Sequence, residues 1–278
     1  MSANTQAFFI VSSGRSGTAM LHKALSAADD VEMHHEYMVH IVQPLGVRRY
    51  MGLADAAEAR RVLAATHAAA AHYSEAAHWG DSSNKLSWLI PELAELLPEA
   101  RFVHLVRDGR KVAGSYFRKL SAECYDDRST AVLRAHAADP AHVAAPPPEK
   151  KYWWPLPQKR HPQAADFAGY DRFQRICWHW AEINRVILAS LGELPPARRH
   201  FVRLEELYRS VDAVKGLFRF LDLSCRDGIA TMFARPHNVN RPEDRLLDGA
   251  QRAQFDAIAH PMMTALGYAD RREYVVKY

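Results

Sequence analysis

Phe8-Phe9-Ile10-Val11-Ser12-Ser13-Gly14-Arg15-Ser16-Gly17-Thr18-Ala19-Met20-Leu21 is an apolar run that breaks into a glycine- and serine-rich turn and resumes with helical spacing. The pattern predicts a strand, an anion-binding loop and a helix. Gly14 and Gly17 let the backbone turn tightly and approach a ligand. A helix starting near Thr18 points its unpaired N–H groups into the same space. Arg15 adds a fixed charge with forked donors, and the Ser16 and Thr18 hydroxyls are able to bond anionic oxygens. The loop departs from the Gly-Lys-Ser/Thr phosphate loop of nucleoside triphosphatases. Thr18 and Ala19 follow Gly17, so neither the lysine nor the metal-holding hydroxyl is present. On these residues alone, an ordinary strand-to-helix turn capped by Ser or Thr is the competing reading.

A chain of 278 residues, 48% hydrophobic and 24% charged, suits one large α/β domain with insertions rather than two domains. Net charge of +4 suits an anionic ligand, without the dense Lys/Arg clusters of a nucleic-acid binder. No apolar run reaches membrane-spanning length, and Met1 to Ala7 is short and uncharged. A cytoplasmic protein without stable membrane insertion is therefore expected. Cys124, Cys177 and Cys225 lie far apart, with no metal-type spacing and an odd count, and are expected to be buried thiols.

Met20, Leu21, Ala24, Leu25 and Ala28 give the first helix one apolar face, with Asp29-Asp30 expected to end it. Val31 to Met33 then reads as a second strand, running into His34-His35-Glu36. Residues just past the carboxyl ends of strands face the ligand crevice of an open α/β sheet. Read from the residues, this cluster is a general base, a metal site or plain surface polarity. The alanine-rich stretch from Gly52 to His78 predicts one or two helices. Trp79 to Lys85 reads as a strand end or loop whose Asp and Ser residues cap a helix from Trp88 to Leu97, with Lys85 within reach of a phosphate or sulfate.

The second informative stretch is Ala100 to Arg118. Phe102 to Val106 predicts a buried strand, Asp108-Gly109 a turn, and Val112, Tyr116 and Phe117 a helical face. Arg107 stands at the strand's carboxyl end and Ser115 about two turns into the helix, a pair suited to a second anion. His104, inside the strand, reads as a core histidine. Asp108 reads as a helix cap or a partner of Arg110.

These two stretches resemble the sulfotransferases that use 3′-phosphoadenosine 5′-phosphosulfate (PAPS), in particular the bacterial members and the carbohydrate and tyrosyl-protein enzymes. Gly14-Arg15-Ser16-Gly17-Thr18 is similar to their loop for the 5′-phosphosulfate. Val106 to Tyr116 is similar to their 3′-phosphate motif, and by that match Arg107 and Ser115 hold the 3′-phosphate. Glu36 falls where several members carry a glutamate proposed as base. The resemblance extends more weakly to Asp171–Ile187, Phe201–Leu207 and Pro236–Pro242. Ala19 replaces a common second Thr, and Gly109 a common Pro. The resemblance implies a P-loop-like three-layer α/β fold, with a mostly parallel central sheet and helices on both faces. It also implies PAPS as co-substrate, 3′,5′-adenosine diphosphate as product, no metal, and a carbohydrate, lipid, phenol or other small-molecule hydroxyl as acceptor. Glu36 then takes the acceptor's proton, with His35 in reserve and His34 orienting Glu36. Arg15, Thr18 and the loop N–H groups stabilise charge on the bridging phosphate oxygen. Two other readings are a P-loop-type kinase, with magnesium dependence, and a non-catalytic anion-binding module.

Residues about 121–170 read as an acceptor-side lid. Ala144 to Pro157 is too proline-rich for regular structure, and Tyr152, Trp153 and Trp154 either stack on an acceptor or bury the lid. Phe173 to Leu191 predicts a long amphipathic helix, Phe201 to Leu204 a strand, Val214 to Leu221 a helix, and Phe255 to Leu266 a closing helix ended by Gly267. The basic loop Arg235 to Pro242 resembles the segment that covers the nucleotide in sulfotransferases, a resemblance that implies Arg241 or Arg235 as added charge near the cofactor.

Overall fold

The computed structural model describes residues 5–121, 123–234 and 246–272. The chain divides into two units: Met1–Tyr37, Arg60–Arg107 and Val186–Asn240 form the first, and Met38–Ala59, Asp108–Arg185 and Arg241–Tyr278 the second.

The first unit is built on a parallel sheet of five strands: β1 (Gln6–Ser12), β2 (Val31–His35), β3 (His78–Ser82), β4 (Arg101–Val106) and β5 (Arg199–Arg203). Their order is β2-β3-β1-β4-β5, all neighbours parallel. β1 is central, and its apolar run Ala7 to Val11 is buried on both faces, as parallel strands require. On one face Phe8, Ile10, Val103, Leu105 and Val202 pack with Leu21 and Leu25 of helix α1 (Thr18–Leu25) and with Leu217 and Phe218 of the helix Val211–Phe220. On the other, Phe9 stacks on Phe102 at 5.4 Å and meets Trp79 and His67 at 6.1 and 6.3 Å. His67 belongs to a π-helical turn, Ala64–Ala68, set between the helices Ala56–Leu63 and Ala69–Tyr73. Helical segments thus cover both faces of a parallel sheet, as expected.

Three of the boundaries that shift from the sequence reading lie next to the glycine loop and its neighbouring strands. α1 ends at Leu25, after which the bonding tightens from i→i−4 to i→i−3, the Ala27 and Ala28 N–H groups donating to the Ala24 and Leu25 carbonyls at 3.3 and 3.1 Å. β2 runs on to His35, so His34 and His35 are strand residues and Glu36 alone of the three lies past its end. Trp79 to Ser82 is the body of β3, and the helix Ile90–Leu96 starts later with Pro91 in its first turn, so neither Asp81 nor Ser82 caps it.

The second unit contains α2 (Val39–Met51), the helices Gly109–Lys119, Asp127–Ala138 and Gly249–Ala265, and the first part of Arg172–Gly192. The proline-rich piece carries only a three-residue turn, Lys150–Tyr152. Trp153 and Trp154 are buried: Trp153 Nε1 donates to the Pro147 carbonyl and Trp154 Nε1 to that of Glu123. Gln43 of α2 donates to the Lys150 and Trp153 carbonyls at 3.2 and 2.8 Å. Of the two roles offered to these tryptophans, burial is the one observed. Cys124 and Cys177 are buried, as expected, whereas Cys225 is only half-buried.

Candidate active site

The loop after β1 folds on its own hydroxyls. The Ser12 hydroxyl accepts the Gly14 N–H at 3.0 Å, the Ser16 hydroxyl donates to the Gly14 carbonyl at 3.0 Å, and the Ser13 and Ser16 hydroxyls lie 3.1 Å apart. Ser16 is buried and its proton serves the loop itself. Gly14, Arg15 and Gly17 take positive φ of 76°, 54° and 92°. Gly17 must be glycine for a second reason: a Cβ there would lie 2.6 Å from Leu204 Cδ1. Gly17 is also the N-cap of α1, with no side-chain cap bond, so the first N–H groups of α1 have no serine or threonine closing over them. Arg15 and Thr18 are half-buried beside them.

Arg107, one residue past β4, donates from Nη1 to the Arg15 carbonyl at 2.9 Å. It therefore lies on the loop, at the carboxyl end of the strand next to β1. Arg15 and Arg107 put two guanidinium groups on one glycine loop.

Ser82, the last residue of β3, ties this loop to the Glu36 turn. Its hydroxyl donates to the Thr18 carbonyl at 3.2 Å, and its carbonyl accepts the Glu36 N–H at 3.2 Å and His35 Nδ1–H at 2.8 Å. Glu36 is half-buried with a left-handed backbone, φ 57°, and His35 is exposed. Because a carbonyl only accepts, His35 Nδ1 carries the proton and Nε2 is left as acceptor in the neutral ring. His22 packs against His35, ring centroids 5.7 Å apart, and donates from Nε2 to the Met33 carbonyl. Burial holds the His22 pKa below its ordinary value, the Met33 carbonyl opposes this, and the His35 and His34 charges add to the lowering. His34 bonds Glu32 at 2.8 Å rather than Glu36. The Ser74 hydroxyl, above all, and then His34 hold the Glu32 carboxyl below its ordinary range, against the opposing effect of burial.

Gly14, Arg15, Ser16, Gly17, Thr18, His35, Glu36 and Arg107 thus gather at the carboxyl ends of β1, β2 and β4 in the first unit. Ser115 is half-buried in the helix Gly109–Lys119 of the second unit, and Arg235 and Arg241 lie outside the described residues. Lys85 is buried, its N–H donating to the Ser83 hydroxyl at 3.2 Å. Sequence reasoning missed Ser82 and Asp81 as supports of the Glu36 turn. The available signal was position, since both stand at the end of a short polar segment that the sheet makes a strand. Among the described residues no cluster of three His, Cys, Asp or Glu side chains could hold a metal, and no helix is long and apolar enough to cross a membrane.

Solved structures share this architecture over nearly their whole length. A sulfotransferase from Alicyclobacillus acidocaldarius aligns with a TM-score of 0.53 at 15% identity, covering 97% of this chain and 98% of that one. The sulfotransferase domain of the Synechococcus PCC 7002 olefin synthase gives 0.50 at 16% identity, covering 94% and 95%. The sulfotransferase domain from the curacin biosynthetic pathway gives 0.50 at 12%, covering 96% and 99%. At such identities the likeness establishes the fold. No curated protein matches the chain. The sulfotransferase family model matches residues 7–145, half of the chain, from β1 through the glycine loop, Glu36 and Arg107. The chain belongs to the sulfotransferase family.

Proposed function

We propose that this sulfotransferase moves the sulfuryl group of PAPS to a hydroxyl acceptor, with Glu36 as general base and His35 as the second proton acceptor at the same place. The observation that carries the reading is the arrangement at the carboxyl ends of β1, β2 and β4: a glycine loop with an uncapped helix start, Arg107 bonded onto that loop, and Glu36 joined to it through Ser82.

PAPS supplies an activated sulfuryl group on a good phosphate leaving group. The acceptor oxygen forms a bond to sulfur as the bond from sulfur to the bridging phosphate oxygen breaks. The acceptor's proton goes to the Glu36 carboxylate and the electron pair to the departing phosphate oxygen. Arg15, Thr18 and the N–H groups at the start of α1 hold that growing charge, a task that fixed donors perform without reorganising. Ser16 keeps the loop in shape. Arg107 supplies charge for the 3′-phosphate, with Ser115 as its partner by motif resemblance. Residues 121–170 are the acceptor-side element of a single sulfotransferase domain, a proposal supported by their proline-rich composition and by Tyr152, the one of their three consecutive aromatics that is only half-buried.

The test is turnover of radiolabelled PAPS against a panel of carbohydrate, phenol, alcohol and lipid hydroxyls, with wild type and Glu36→Gln. Label transfer to at least one class, lost in Glu36→Gln with nucleotide binding intact, is the expected result. Transfer from ATP in its place would make the chain a phosphotransferase, and nucleotide binding without any transfer would make it a binding module.

A further inference from the structure

Asp81 and His67 form a pair with no solvent exposure that the transfer chemistry leaves unused. A carboxylate is costly to bury unless donors satisfy it. Here His67 Nε2 lies 3.3 Å from Oδ2, while Oδ1 accepts the Tyr37 N–H at 3.2 Å. Tyr37 directly follows Glu36. Its ring stands edge-on to His67 at 5.3 Å and to Trp79 at 5.5 Å, so side chain and amide are both fixed. The turn needs such fixing, because Glu36 and Met38, on either side of Tyr37, both have left-handed backbones, φ 57° and 51°. Such a backbone is unfavourable for a residue with a side chain and persists only where the surroundings impose it.

His67 is itself held. The Thr66 hydroxyl lies 3.1 Å from His67 Nδ1, so the ring is bonded at both nitrogens. It is delivered by the π-helical turn Ala64–Ala68, an irregularity within a run of α-helix that shifts one side chain by a fraction of a turn. Without it, the Ala56 to Tyr73 run would be an ordinary covering helix.

We propose that the Asp81–His67 pair is the positioning device for Glu36: Asp81 clamps the Tyr37 amide and so fixes the strained turn that carries the base, and His67 holds the Asp81 carboxylate in place. Neither residue touches the reacting atoms. The proposal rests on the reading of Glu36 as base.

The experiment follows two quantities in wild type, Asp81→Ala, Asp81→Asn, His67→Gln and Glu36→Gln. One is the kcat for transfer of radiolabelled sulfuryl from PAPS to water, alongside the affinity for 3′,5′-adenosine diphosphate. The other is hydrogen exchange at the Tyr37 amide. In Asp81→Ala the Tyr37 amide exchanges faster and kcat falls about tenfold to hundredfold, the usual cost of a misplaced catalytic group, with nucleotide affinity unchanged. Asp81→Asn, which keeps an oxygen for that amide, restores slow exchange and part of kcat. If Asp81→Ala does not fold, His67→Gln takes its place with the same two expected changes. Slow exchange at Tyr37 together with wild-type kcat in these variants overturns the positioning role. Full turnover in Glu36→Gln would overturn the base reading instead, and exchange at Tyr37 would still decide whether Asp81 holds the turn.

Discussion

The turns after β1 and β4, each joining a parallel strand to a helix, are finished in opposite ways. After β1, the helix α1 begins at Gly17 with no side chain over its N–H groups. After β4, the helix Gly109–Lys119 begins under Asp108, whose carboxylate accepts the Arg110 N–H at 3.0 Å and pairs with the Arg110 guanidinium at 2.7 Å. The first start has no side-chain cap, which is where the proposed nucleotide would bind, and the second is capped from within the chain. The second turn therefore serves as a fixed mount for Arg107, the residue that reaches the first. Another closed polar cluster lies in the second unit, where buried Glu182 accepts from Tyr50 at 2.8 Å and from two nitrogens of Arg185 at 2.7 and 2.8 Å, with His161 at 3.2 Å.

The sharpest way to break this contrast is at the closed end. Asp108→Ala removes the cap and the carboxylate that pairs with a mostly buried Arg110, whose Nη2 keeps the Arg271 carbonyl at 2.9 Å, and is expected to cost about 3 kcal/mol of stability in urea unfolding. If stability were unchanged, the second turn would not be the closed structure described. Gly17→Ala probes the open end. It forces a Cβ into a backbone of φ 92° and against Leu204, at about 1–2 kcal/mol, and is expected to weaken nucleotide binding beyond that stability loss. Binding unaffected by this change would move the site away from the loop.

A smaller effect with a distinctive pH signature is expected at Glu182. Burial pushes its pKa up, but hydrogen bonds from Arg185 and Tyr50 outweigh this and hold it below the ordinary value of 4.5. A depressed carboxylate stabilises the fold above its unfolded pKa and loses that contribution as pH falls through the folded one. Glu182→Gln should therefore cost about 1–2 kcal/mol near neutrality, and the gap to wild type should close as pH falls below 4.5. A gap that stayed constant into acid would show that the charge of Glu182 contributes nothing. The same burial and Glu182 raise the Tyr50 pKa well above its ordinary value, so its hydroxyl stays a donor throughout this range.

Much of this was legible because chemistry and chain position coincide. The apolar runs of β1 and β4 sit beside Gly/Arg/Ser and Arg/Asp/Gly turns, so strand and turn read off together. Asp108 capping the helix and pairing with Arg110 was likewise visible. Where the signal was tertiary, it was hidden. His34 and His35 belong to β2, an edge strand with a half-buried, mixed pattern whose end no residue marks. His78-Trp79-Gly80-Asp81-Ser82 has poor strand formers in it, and is a strand because β1 and β2 pair with it on both sides. That pairing puts Asp81 beneath the Glu36 turn, 45 residues away in the chain by number, as no local pattern announces. The helix α2 hides behind Pro44 and a weak apolar period. The tryptophans of the proline-rich segment look alike as lid or as core, and only their bonds to Pro147 and Glu123 decide for core.

The central claim is that the uncapped start of α1 and Arg107 together form a site for a nucleotide carrying both a 5′- and a 3′-phosphate. Its most direct test is calorimetric titration of 3′,5′-adenosine diphosphate, ADP and ATP, with and without magnesium, into wild type and Arg107→Ala. The account predicts metal-independent binding that favours the 3′-phosphorylated nucleotide and weakens about tenfold to hundredfold in Arg107→Ala, the worth of charge-assisted hydrogen bonds. Preference for ATP with magnesium, or equal affinity in the two proteins, would contradict it.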